Sequence, residues 1–141
     1  TLLAEPWRQT KATREGGAVD LEEIAIGGVD DDYTNHANIA ATMAKLRPFA
    51  GARIILTHSP DIAPRLPRDA HLLLAGHTHC GQGVLPFYGP VTTVSHFHNR
   101  YRCGLVMDPG LAVIVTGGLG TSGPPLRFGA PPDLWLITLE G

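Results

Sequence analysis

The chain has 141 residues, 43% of them hydrophobic and 17% charged, and a formal net charge of -2. That length and balance describe one globular domain or one piece of a domain, and they give no electrostatic case for a nucleic-acid partner or an anionic membrane surface. No apolar run approaches the ~18 residues of a spanning helix, and the first residues lack a signal-peptide pattern. The 17 glycines and 12 prolines fall between apolar runs, the composition of many short strands joined by tight turns. Two cysteines, Cys80 and Cys103, are too few for a disulfide framework and are expected as reduced thiols of a cytoplasmic or inward-facing protein.

In chain order, Thr1-Leu2-Leu3-Ala4 reads as the end of a strand, followed by a polar excursion that closes on Gly16-Gly17. Residues 19–26 alternate in part and run into Gly27-Gly28, a strand expected to pair antiparallel with the opening residues. Asp30, Asp31 and Asp32 are adjacent carboxylates. Consecutive strand residues point to opposite faces, so these three cannot converge unless the backbone loops, and they are expected in a loop leading to a helix. Thr34 or Asn35 is the expected N-cap of a helix over 36–46, where Ile39, Met43 and Leu46 make one apolar stripe and Pro48 enforces a stop.

Arg53-Ile54-Ile55-Leu56 and Leu72-Leu73-Leu74-Ala75 are short aliphatic runs bounded by Gly or Pro, the pattern of buried strands. The crossover between them, 60–68, lets them lie side by side and parallel. The first run ends in Thr57-His58-Ser59-Pro60-Asp61 and the second in Gly76-His77-Thr78-His79. In open α/β sheets ligands collect outside the carboxyl ends of the strands, where these imidazoles would meet. One histidine at a strand end is more often hydrogen-bonded than ligating, but His58, His77 and His79 together read as metal ligands. His71, inside the second run, reads as a satisfied histidine facing a neighbouring element.

Beyond the motif, 84–94 reads as a broken strand or flap interrupted by Pro86, Gly89 and Pro90. Residues 101–107, with Cys103 inside, and 111–116 read as a hairpin turning through Asp108-Pro109-Gly110. Thr116-Gly117-Gly118-Leu119-Gly120 is glycine-rich but lacks the Lys-Ser/Thr ending of a phosphate loop. Residues 134–139 are expected as a final strand.

Thr57-His58-Ser59-Pro60-Asp61 followed by Ala75-Gly76-His77-Thr78-His79-Cys80-Gly81-Gln82 resembles the last two signature blocks of the calcineurin-like metallophosphoesterases. Gly118-Leu119-Gly120, Arg127 and Pro131-Pro132-Asp133 make the chain most similar to the bacterial phosphodiesterase-like branch. The resemblance implies an α/β fold, an α/β/β/α sandwich of two packed sheets, of which residues 1–141 are the C-terminal part of a single domain. It implies two divalent ions, manganese, iron or zinc, with His58 and His77 on one and His79 on the other. His96, His98 and Arg127 are placed at the substrate rim. A phosphodiester, a phosphomonoester or a pyrophosphate-linked lipid precursor all suit the motif, and membrane anchors among relatives leave room for a place at the inner membrane.

The family's other ligands come from an Asp-X-His, a Gly-Asp and a Gly-Asn-His-Asp, and nothing upstream of His58 matches them. The chain alone is therefore expected to hold one ion at most, weakly, to be inactive, and to pair with its missing half or with itself. Two alternatives stand beside this: a non-catalytic binding module on the same fold, and a small zinc domain using His77, His79 and Cys80.

Overall fold

The computed structural model describes residues 24–139, so the opening strand and its expected antiparallel pairing with the run 19–26 lie outside the described part, which takes in only the end of that run. In chain order the elements are β1 (Ile24–Gly28), helix α1 (Ile39–Leu46), β2 (Ala52–Leu56), a 3-10 turn (Pro60–Arg65), β3 (Leu72–Ala75), a second 3-10 turn (His79–Gly81), the two-residue strands β4 (Val84–Leu85) and β5 (Gly89–Pro90), then β6 (Gly104–Asp108) and β7 (Leu111–Val115). Five strands form one sheet in the order β1-β2-β3-β7-β6. Neighbours along β1, β2, β3 and β7 are parallel, and β6 closes the edge antiparallel through the expected turn at Pro109-Gly110. This is a mixed α/β fold with a largely parallel sheet, the class read from the sequence.

The inner strands β3 and β7 are aliphatic and bury both faces, as parallel strands do. On one face Ala25, Ile55, Leu73, Val113 and Val115 pack against Met43 and Leu46 of α1, Ile62 of the first 3-10 turn and Tyr101. On the other, Ile54, Leu72, Ala112 and Ile114 meet Trp135 and Ile137. Full burial of each such side chain contributes about 1.5–3 kcal/mol. The second face is left open toward both edges, where Ile26 is 60% and Met107 53% exposed.

Helix α1 starts later than expected. Asn35 takes a left-handed conformation (φ 62) that ends a turn, and Asn38 caps the helix by accepting from Ala41 N at 3.0 Å. The helix lies close on β1 because Gly27 has no side chain: a Cβ there would stand 2.7 Å from Leu46 Cδ1. Pro60 opens the crossover and Pro64 interrupts it, which keeps it a short 3-10 turn.

Two readings are corrected. Residues 134–139 are not a strand: Trp135 and Ile137 pack on the sheet while Leu134 and Leu136 are exposed, an alternating run without a ladder partner among the described residues. Cys103 precedes β6 and is not inside it. Among the described residues no helix is long and apolar enough to cross a membrane.

Candidate metal centre

Parallel strands deliver their carboxyl ends to one edge of the sheet. Here that edge receives Asp31 after β1, His58 after β2, His77 and His79 after β3, and the glycine-rich 116–120 stretch after β7. The pairing of β2 with β3 continues past the strands, with Thr57 N donating to Leu74 O at 3.1 Å and Gly76 N to His58 O at 3.1 Å. His58 and His77 are thereby brought together, Nε2 of the first 2.8 Å from Nδ1 of the second. The Tyr33 ring stands 5.4 Å from the His77 ring.

The pair suits a metal ion. Ligand atoms in adjacent positions around one ion, each ~2.1 Å from it, lie about 3 Å apart. His77 faces His58 through Nδ1, while its Nε2 is buried on the other side of the ring, where the Val94 backbone approaches. Burial, followed by the neighbouring His58, lowers the His77 pKa, against partial opposition from Asp31, the Val94 backbone and Asp61. The ring is thus kept in the neutral form that ligates metal. Asp31 is held below the usual carboxylate range: a burial cost is outweighed by hydrogen bonds from Tyr33 and Thr34 and by the attraction of His58.

His79 is not in that pair. Its Nδ1 lies 3.4 Å from Arg127 Nη2. The loop that carries it is strained, with left-handed φ at His77 (67), His79 (49), Cys80 (55) and Gln82 (44), each costing on the order of 1–3 kcal/mol. Several links hold it. Thr78 Oγ1 donates to Arg102 O at 2.6 Å, Arg102 Nη1 donates to Cys80 O at 3.0 Å, and Arg127 Nη1 donates to His79 O at 3.2 Å. Cys80 and Cys103 form a disulfide, Cα atoms 4.8 Å apart.

That disulfide corrects the expectation of reduced thiols, and in this oxidised form Cys80 offers no thiolate to a His77, His79 and Cys80 zinc domain. The Arg127 guanidinium donates to the carbonyls of His79, Gly117, Gly118, Gly120 and Ala130, and so braces the loops that carry them. His96 and His98 lie in a turn and not on one strand face. His96 Nδ1 stands 2.9 Å from Asp61 Oδ2, and His98 is exposed with φ 51.

Sequence reasoning gave Asp61 no role. It is buried, and accepts from Ser95 Oγ at 2.5 Å and His96 N at 2.8 Å, tying the 95–96 segment to the crossover that follows His58. Asp31 and Tyr33 were also missed, although a parallel β1 would have placed its following loop beside His58. Asp133 was read only as part of the closing segment that carries the resemblance; its Oδ1 accepts from Thr116 Oγ1 at 2.7 Å and Gly118 N at 3.0 Å.

A largely parallel α/β sheet that gathers imidazoles and a carboxylate at its carboxyl edge defines a candidate metalloprotein. Comparison with known proteins gives the family. The chain is 36% identical over 124 residues to the uncharacterized metallophosphoesterase YkuE of Bacillus subtilis, covering 86% of this chain and 42% of that protein. It is 33% identical over 132 residues to an uncharacterized metallophosphoesterase of Aquifex aeolicus, 89% of this chain and 49% of that one. A Danio rerio relative named as a transmembrane protein with a metallophosphoesterase domain is 29% identical over 127 residues, 83% of this chain and 28% of that protein. The chain belongs to the metallophosphoesterase family, and spans about half the length, or less, of these relatives. No family model matches it, and no solved structure does.

Proposed function

We propose that the protein is a dinuclear-metal phosphoester hydrolase acting on phosphodiesters, and that residues 1–141 are the C-terminal part of its single catalytic domain. The observation that carries this reading is the His58–His77 contact at 2.8 Å on the carboxyl edge of two parallel strands. His58 and His77 hold one divalent ion through neutral nitrogens, and His79 belongs to a second. Manganese, iron and zinc all suit imidazole. When bound, such ions supply Lewis acidity toward phosphate oxygens and a hydroxide for in-line attack. The Asp61 carboxylate fixes the segment bearing His96 beside this pair, where a phosphorylated small molecule or lipid precursor would be met.

Nothing upstream of His58 supplies the family's bridging carboxylate, so the 141-residue chain by itself is inactive and binds at most one ion weakly. The exposed apolar side chains Ile24, Ile26, Leu56 and Met107 on one sheet face favour its pairing with the remainder of the domain or with a second copy. A place at a membrane is part of this reading, supported by the name of the Danio rerio relative, a transmembrane protein with a metallophosphoesterase domain.

The test compares the product of the whole gene with the 141-residue chain, both in manganese with an aryl phosphodiester. The whole product is expected to turn over and to lose at least a hundredfold in rate with His77→Ala. Undiminished activity in His77→Ala would overturn the site, and His77-dependent turnover by the short chain would overturn its inactivity.

A further inference from the structure

Behind the ligand loop lies a second cluster that the hydrolase reading does not use. The sulfurs of Cys80 and Cys103 and a carboxylate oxygen of Asp133 all lie within 4.8 Å of one another, and among the described residues theirs is the group of three potential ligands gathered this closely. The three come from separate parts of the chain: the loop after β3, the residue before β6, and the segment after the glycine-rich stretch.

The corner is shaped for the sulfurs. Cys80 is buried, and a Cβ on Gly117 would stand 2.8 Å from its Sγ, so a larger residue at 117 would fill the place that the sulfur takes. Asp133 is oriented before any ligand arrives, held through Oδ1 by Thr116 and Gly118 N, and through Oδ2 by Trp135 Nε1 at 3.3 Å. A carboxylate has about four lone-pair positions, so capacity remains for a cation. Carboxylate ligands that are themselves hydrogen-bonded are the usual arrangement in metal sites. Arg127 Nη1 reaches the same corner, 3.5 Å from that Gly117 position, and supplies positive charge.

We propose that Cys80, Cys103 and Asp133 form a redox-gated site for a thiolate-preferring divalent ion, zinc above all. In the oxidised form the sulfurs are bonded to each other and the site is closed. A dithiol reductant delivers two electrons and two protons, the S–S bond breaks, two thiols form, and the reductant closes its own disulfide. On binding zinc each thiol releases its proton to solvent. Two thiolates and a carboxylate around a divalent cation leave one negative charge, which Arg127 offsets. Three protein ligands leave the fourth tetrahedral position to water. Oxidation reverses the sequence and ejects the ion. The loop that carries His77 and His79 is tethered to the start of β6 either through the disulfide or through the metal, and is released only when reduced and metal-free.

The inference does not depend on the hydrolase reading, because its ligands exclude all three histidines. Cobalt(II) is the probe, added anaerobically to the reduced 141-residue chain. One equivalent is expected to give thiolate-to-cobalt charge-transfer absorption in the near ultraviolet, absent from the oxidised chain. Cys103→Ser is expected to abolish it, Asp133→Asn to weaken binding at least tenfold, and His77→Ala to leave it unchanged. Where a variant fails to fold, the unaltered chain decides: loaded with zinc while reduced, then treated with one equivalent of a disulfide oxidant, it should release its zinc as it loses two hydrogens in mass. No charge-transfer band, a band that survives Asp133→Asn undiminished but is lost with His77→Ala, or zinc retained after oxidation would each overturn the proposal.

Discussion

His58 and His77 follow strands that are neighbours in the sheet, and Nε2 of the first lies 2.8 Å from Nδ1 of the second. The contact follows from register. Leu56 pairs with Leu74, so two residues further on His58 stands beside Gly76, and the next residue is His77. A slip of one residue would turn one imidazole to the opposite face. The positioning therefore rests on the aliphatic strands and not on the loops alone.

Removing either ring should show in metal affinity. His58→Ala or His77→Ala is expected to weaken divalent-ion binding by the 141-residue chain at least tenfold, a loss of about 1.4 kcal/mol, read by titration calorimetry in manganese. The fold should survive, since His58 is exposed and His77 lies in the loop beyond β3, outside the apolar core. Affinity unchanged in both variants would remove the pair from the site.

The His77 shift also gives stability a sign with pH. Its pKa is lowered in the folded state, so between that value and the ordinary ~6.5 the unfolded chain binds more protons. Stability should be full above about 6.5 and fall as the pH drops toward the lowered value. His77→Gln should flatten this part of a urea-unfolding pH series, and an unaltered slope would assign the loss to other groups.

At the alkaline end the relevant group is Tyr101. Its ring is buried and its hydroxyl donates to Asp108; burial first, then that bond, pushes its pKa up to about 12. A raised folded-state value means stability is intact below the unfolded pKa of about 10 and is lost as pH climbs toward 12. Tyr101→Phe should remove that alkaline loss while costing some stability at pH 7 through the unpaired Asp108 oxygen. Persistence of the same alkaline transition in the variant would contradict the assignment.

Much of this architecture was legible from residues. The runs 53–56 and 72–75 are too short for helices and too aliphatic for one-sided strands, and the crossover between them leaves room for a parallel pairing. The histidines could be placed at one edge from that alone. The start of α1 was misjudged because Asn35, a plausible cap, is consumed by a left-handed turn, and Asn38 takes the role. Residues 134–139 alternate as a strand should, but a ladder needs a neighbour, which a local pattern does not reveal. Arg127 could not be read as a brace because its acceptors are backbone carbonyls, which carry no residue signature. The pairing of Cys80 with Cys103 likewise depends on β6 returning beside the ligand loop, a tertiary fact.

That pairing has its own stability consequence. The disulfide spans 23 residues, and in the chain-entropy account such a closure contributes about 3 kcal/mol, on top of holding Cys80 in its left-handed conformation. Reduction in the presence of a strong chelator, or Cys103→Ser, should lower the thermal midpoint by several degrees in calorimetry. The hydrogen exchange of the amides over 77–83 should quicken more than that of β7. Uniform quickening across the sheet would mean that the link stabilises the whole fold and not this loop.

Arg127 should be the most sensitive position outside the histidines. A lysine keeps the charge but has no planar fork, so it cannot reach the carbonyls of His79, Gly117 and Gly120 together. Arg127→Lys and Arg127→Ala should both lose stability, because the carbonyl of buried Gly117 left unpaired costs about 1–3 kcal/mol. A residue that only offered its charge to an anionic substrate would be replaceable by lysine with little change in unfolding midpoint. Urea unfolding of both variants separates the roles: similar large losses identify the brace, whereas a near-native midpoint in Arg127→Lys places Arg127 at the rim.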